Sequence, residues 1–146
     1  MDKTRPIGSA IAVLGGGLLL AAWGYSGFRM SAVDIDQMMP MSSSPSLYGC
    51  YRNGDLVIML GKSGMSIPGS GVSFSRTALA DDKQGKFVAF EPAIDIRRGR
   101  DGQLRAVEDP RSQMISKLFI RHQEGSRQLV APSDTPAGTI FRRDQC

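Results

Sequence analysis

Residues 7–28 carry no charged side chain, and that run decides how the rest of the chain is placed. About 22 residues rise about 1.5 Å each as a helix, or roughly 33 Å. A hydrocarbon core of about 30 Å is spanned by that length. Trp23 and Tyr25 stand near one end, where amphipathic rings favour the membrane interface. Lys3, Arg5 and the terminal amine precede the run, whereas Arg29, Asp34 and Asp36 follow it. The positive-inside rule then predicts a cytoplasmic tail at 1–6, a transmembrane signal-anchor at 7–28 and an extracytoplasmic remainder.

The competing reading is a cleaved signal peptide that releases a secreted domain. The apolar run is long for one, and Trp23 directly after Ala21 and Ala22 does not suit a small-residue cleavage site. No cysteine follows the run closely, and Cys146 stands last rather than fourth from the end, so neither lipidated terminus nor prenylation is expected. Gly8, Ala12 and Gly16 recur on one helical face, a small-residue spacing that lets two membrane helices approach. Small residues are also simply common in such helices, so self-association through this face is an option rather than a requirement.

Residues 29–46 read as a linker. Ser42, Ser43, Ser44, Pro45 and Ser46 cannot build a core and favour extended chain. Met30, Met38, Met39 and Met41 raise the idea of a soft-metal site. With no histidine or cysteine among them, adaptable apolar filler is the better account.

The remainder, 47–146, predicts an all-β fold with room for one short helix: a small antiparallel meander forming a barrel or sandwich. Seventeen glycines and eight prolines punctuate the chain, which favours short strands over long helices. Tyr48 to Tyr51 suggests a first strand, and Asn53-Gly54 a hairpin turn. Leu56, Ile58 and Leu60 alternate as a strand would, and Gly61 to Gly64 is the next turn. Val72, Phe74 and Arg76 share a face of a further strand, followed by a polar loop at 81–85. The apolar stretch 87–96 contains Pro92, which predicts a bulge or an edge. For 110–122, helical spacing of Met114, Ile115, Leu118 and Phe119 competes with a strand at 115–121 that turns at Glu124-Gly125; the surrounding meander favours the strand. The opening Gly49-Cys50-Tyr51 strand and its meander resemble lipocalin-like barrels in outline, a likeness that implies architecture and licenses no function.

No residue set predicts catalysis, a cofactor or a metal. Gly61-Lys62-Ser63 lacks the glycine that a phosphate loop needs five positions earlier, where Leu56 stands. His122 is the one histidine, and no Gly-x-Ser-x-Gly elbow accompanies it. His122, Cys50 and Cys146 lack the close pairing of a zinc site, and Asp81 and Asp82 do not follow calcium-loop spacing. The net charge of +4 belongs to the part beyond Leu47. Arg97, Arg98, Arg100, Arg142 and Arg143 form two clusters that could meet an anionic partner such as lipid headgroups. Asp95, Asp101 and Asp144 sit beside them, so an ordinary solvated surface competes. Without interleaved aromatics, nucleic acid is not an expected partner.

Cys50 and Cys146 are the two cysteines, near the two ends of the predicted domain. In an oxidising compartment they are expected to pair, because a closed antiparallel sheet makes its first and last strands neighbours. A loop of about 100 residues closed this way is worth about 4 to 5 kcal/mol of unfolded-state entropy. The function class that follows is a non-catalytic binding or interaction module of the cell envelope, tethered to the membrane. The alternatives are a small apolar-ligand barrel and, less favoured, a small hydrolase.

Overall fold

Among the described residues ten strands run β1 (Met39–Pro40), β2 (Gly49–Asn53), β3 (Leu56–Gly61), β4 (Gly64–Ser66), β5 (Arg76–Asp82), β6 (Gly85–Arg98), β7 (Leu104–Glu108), β8 (Ile115–Gln123), β9 (Ser126–Ala131) and β10 (Thr139–Asp144). They come from a computed structural model that describes residues 35–108, 115–133 and 135–146. The predicted anchor, its Gly8, Ala12 and Gly16 face, and the first part of the linker lie outside the described residues. Among the described residues no helix is long and apolar enough to cross a membrane.

All strands pair antiparallel in one sheet of order β1-β5-β6-β8-β9-β10-β2-β3-β4, with β7 beside the far half of β6. The sheet curls into a half-barrel rather than splitting into a sandwich. Its two ends approach where the Met65 backbone N–H donates to Thr77 Oγ1 at 3.2 Å. Alternation drives the curl. Tyr51, Ile58, Val88, Phe90, Ile94, Leu118, Leu129 and Phe141 all face inward and are essentially inaccessible to solvent. Each such side chain contributes about 1.5–3 kcal/mol by leaving water. Phe74 meets Phe90 edge to face, with ring centroids 5.4 Å apart. The concave face is therefore a packed core, not a vacant lumen.

Two tight turns show the local rules. Asn53 pairs with Leu56, so the first hairpin loop is Gly54-Asp55, one residue later than the Asn-Gly signal suggests. Gly54, at φ 58°, takes the first loop position, where a type II′ turn requires glycine. Glu124 (φ 52°) and Gly125 (φ 74°) join β8 to β9 with both loop residues left-handed, as in a type I′ turn. The stretch 115–123 is a strand, as the meander favoured. Register against β8 shifts between Ala89 and Ile94, the part of β6 that holds Pro92, which cannot donate to a ladder.

Order begins before Leu47. Short 3-10 turns occupy Ile35–Gln37, Met41–Ser43 and Pro45–Leu47, and β1 pairs with β5. Ile35, Met41 and Leu47 are buried, so part of the predicted linker is folded against the sheet by its apolar residues. Arg76 holds the first turn in place, reaching Asp36 at 2.6 Å and Glu91 at 2.8 Å. The strand expected around Val72 and Phe74 starts instead at Arg76 and runs through Asp82, where the sequence suggested a loop. Thr77-Ala78-Leu79-Ala80 carries only one large apolar side chain, too little to announce a strand.

Cys50 and Cys146 are disulfide-bonded, their Cα atoms 5.4 Å apart. The sheet order explains the pairing: β10 lies beside β2, with Asp144 opposite Cys50.

Candidate functional site

The sequence-predicted arginines do not form one surface. Arg97 pairs with Asp95 along β6, and Arg98 donates to the Gly102 carbonyl and braces the β6–β7 turn, where Arg100 stands exposed. Arg142 and Arg143 are neighbours on β10 and therefore point to opposite faces. Arg143 turns to the concave side and donates to the carbonyls of Tyr48 at 2.8 Å and Ser46 at 3.3 Å.

Arg143 belongs to a polar cluster at one mouth of the half-barrel. Arg127 donates to the Ser46 carbonyl and, at 3.3 Å, to His122 Nε2. Tyr51 Oη donates to the Leu47 carbonyl at 2.9 Å. These bonds fasten the Pro45–Leu47 turn across the mouth, which makes them structural. A cavity of about 310 Å³ beside the turn is lined by Leu47, Lys86, Asp81, His122 and Arg127, with Ser44 and Ser46 at its wall. His122 thus shares a cavity with serines and an acid. Its one hydrogen bond among the described residues goes to Arg127, and neither a serine hydroxyl nor Asp81 bonds to it.

Burial raises the pKa of Tyr51, opposed by the positive charge of Arg143 and Arg127 and by the hydrogen bond to Arg127. The folded state therefore holds the phenol neutral more strongly than the unfolded chain does. That stabilisation is fully present below the unfolded value of about 10 and is lost as pH rises through the folded pKa above it. Stability is expected to fall in alkaline solution beyond about pH 10. Tyr51→Phe should flatten that fall while costing about 0.5–1.5 kcal/mol at neutral pH for the lost hydrogen bond. Urea melts of both proteins at neutral and alkaline pH check this; parallel alkaline declines would contradict it.

The convex face carries a different arrangement. Cross-strand pairing sets Arg121 opposite Gln128, Gln128 opposite Arg142, and Arg142 opposite Arg52. Neighbouring strands lie about 4.8 Å apart, so these four residues form a transverse row across β8, β9, β10 and β2. Arg52 is paired with Asp144 at 2.9 Å. Two residues along the strands lies an apolar row, Phe87, Phe119, Val130 and Ile140. Lys117 Nζ sits over the Phe87 ring, 4.5 Å from its centroid. A second cavity of about 310 Å³ opens on the arginine row, lined by Gln123, Glu124, Ser126, Gln128 and Arg142. Gln128 is its most buried lining residue, only 7% exposed.

Sequence reasoning found Arg142 but missed Arg52, Arg121 and Gln128. Each stands at an outward position of a different strand, and only the register unites them. Among the described residues no group of three or more His, Cys, Asp or Glu side chains converges on a metal position. No family model, curated protein or solved structure matches the chain.

Proposed function

We propose that the protein is a single-pass, membrane-anchored domain facing the outside of the cytoplasm, where it serves as a non-catalytic binding module of the cell envelope. The Cys50–Cys146 bond carries the reading, since such bonds persist in oxidising compartments. The uncharged 7–28 run and the basic Lys3 and Arg5 before it support the same orientation. The filled concave core supports an interaction role over an apolar-ligand carrier, which needs an open cavity.

An export-dependent reporter fused after Cys146 is expected to be active and to stay with the membrane fraction. Activity of a cytoplasm-only reporter at that position would overturn the orientation. Export with release into the soluble fraction would favour cleavage after the apolar run.

The cavity shared by His122, Ser44, Ser46 and Asp81 is the one observation that favours a hydrolase as a second reading. Catalysis there needs the imidazole to leave Arg127 and activate a hydroxyl. Covalent labelling of Ser44 or Ser46 by a fluorophosphonate, lost in His122→Ala, would establish it.

A further inference from the structure

We infer that the convex face holds a binding site for a phosphate-class oxyanion, built on Arg142 and the amide of Gln128, which line its cavity, with Arg121 and Arg52 flanking them in the cross-strand row. The site is a property of the folded domain and does not depend on export or anchoring. Arg142 and Arg52 stand directly opposite one another, a like-charge pairing that ordinarily destabilises a sheet. Asp144 neutralises Arg52, but Arg142 and Arg121 have no ion-pair partner among the described residues. Gln128 lies between them, 7% exposed, and its side-chain amide has no hydrogen-bond partner among the described residues. Buried amides are rarely left unmade. No sealed side-chain polar atom lacks a partner among the described residues, so the Gln128 amide opens into the cavity it lines.

The chemistry of that set selects the ligand. Guanidinium groups offer planar forks that match phosphate oxygens, and charge-assisted bonds of this kind are about twice as strong as neutral ones. The Gln128 amide N–H₂ adds neutral donors, and the Ser126 hydroxyl lines the same cavity. A volume of about 310 Å³ admits a phosphate with its ester substituent or a water shell. Glu124 also lines the cavity and counts against an anion. It is exposed, on the left-handed turn, and bonds to none of the row. Bound phosphate would relieve the Arg142–Arg52 repulsion, so ligand binding and fold stability are coupled.

The test uses the full chain in non-ionic detergent, titrated at constant ionic strength with inorganic phosphate and, separately, with dihexanoyl phosphatidylglycerol. Thermal unfolding and the NMR signals of the Gln128 side-chain amide are followed. Phosphate is expected to raise the unfolding temperature and shift the Gln128 amide, whereas equal chloride does neither. Arg142→Gln should weaken binding about tenfold, the loss of one charge-assisted pair. Glu124→Asn, which keeps the turn geometry, should strengthen it about two- to threefold by removing the carboxylate. Arg100→Gln, on the distant hairpin, should leave it unchanged. Response to both ligands assigns the site to the phosphate group itself, and response to the lipid alone assigns it to a headgroup. No response beyond chloride with either, or binding that survives Arg142→Gln and falls with Arg100→Gln, would overturn the site.

Discussion

Replacing Cys50 by Ala and Cys146 by Ser is expected to lower the unfolding free energy by about 2–5 kcal/mol. The bond closes a loop with a sequence separation of 96, near the range where chain entropy alone accounts for about 4.7 kcal/mol. It also ties the end of the chain beyond β10 to β2, and these two strands lie side by side within the sheet although far apart in sequence. A domain of this size has about 5–15 kcal/mol in total, so the loss leaves a marginal fold. Guanidinium melts should show a lower midpoint for the double variant. Reductant should produce the same drop in the native chain and none in the variant. Identical midpoints with and without reductant would show that β10 is held by its ladder and by Phe141 without help from the bond.

Phe90→Ala is expected to cost about 3–5 kcal/mol, the range for deleting a large aromatic from a packed core. Phe90 has no solvent exposure and sits on β6, the 14-residue strand that pairs with β5, β7 and β8. A cavity there loosens three ladders at once. Phe74→Ala should cost less, because Phe74 is only partly buried. The edge-to-face pair should couple the two by about 0.5–1.5 kcal/mol in a double-mutant cycle. Additive losses would mean that the ring contact adds nothing to burial.

The sheet was legible where apolar alternation was dense. Leu56, Ile58 and Leu60 announced β3, whereas 110–122 also carried helical spacing, and only the surrounding meander favoured the strand that β8 proves to be. Strand β5 was not legible, because Leu79 is its one large apolar side chain, set among Thr77, two alanines and two aspartates, and its order derives from β6 beside it. Nor was the folding of Ile35 and Met41 onto the sheet, since serine and proline around them masked two apolar anchors. The disulfide followed from topology: two cysteines near the two ends of the domain's sequence are brought together because β10 lies beside β2. The arginine row shows the opposite situation. Arg52, Arg121 and Arg142 lie far apart in the chain, and their meeting depends on a strand register that no local pattern encodes. The adjacent pair Arg142 and Arg143 looked like one cluster and is divided by the pleat, one side chain serving the mouth of the core and the other the outer surface.

The thiol state of the chain in intact cells tests most directly whether this is an exported domain closed by its own two ends. Cells are treated with a membrane-permeant alkylating reagent before lysis, and the full chain is analysed by non-reducing mass spectrometry. The expected species is an unlabelled monomer two protons lighter than the dithiol, which becomes labelled at Cys50 and Cys146 only after reduction. A chain alkylated at both cysteines without reduction would place the domain in a reducing compartment and contradict the orientation, the staple and the envelope role together.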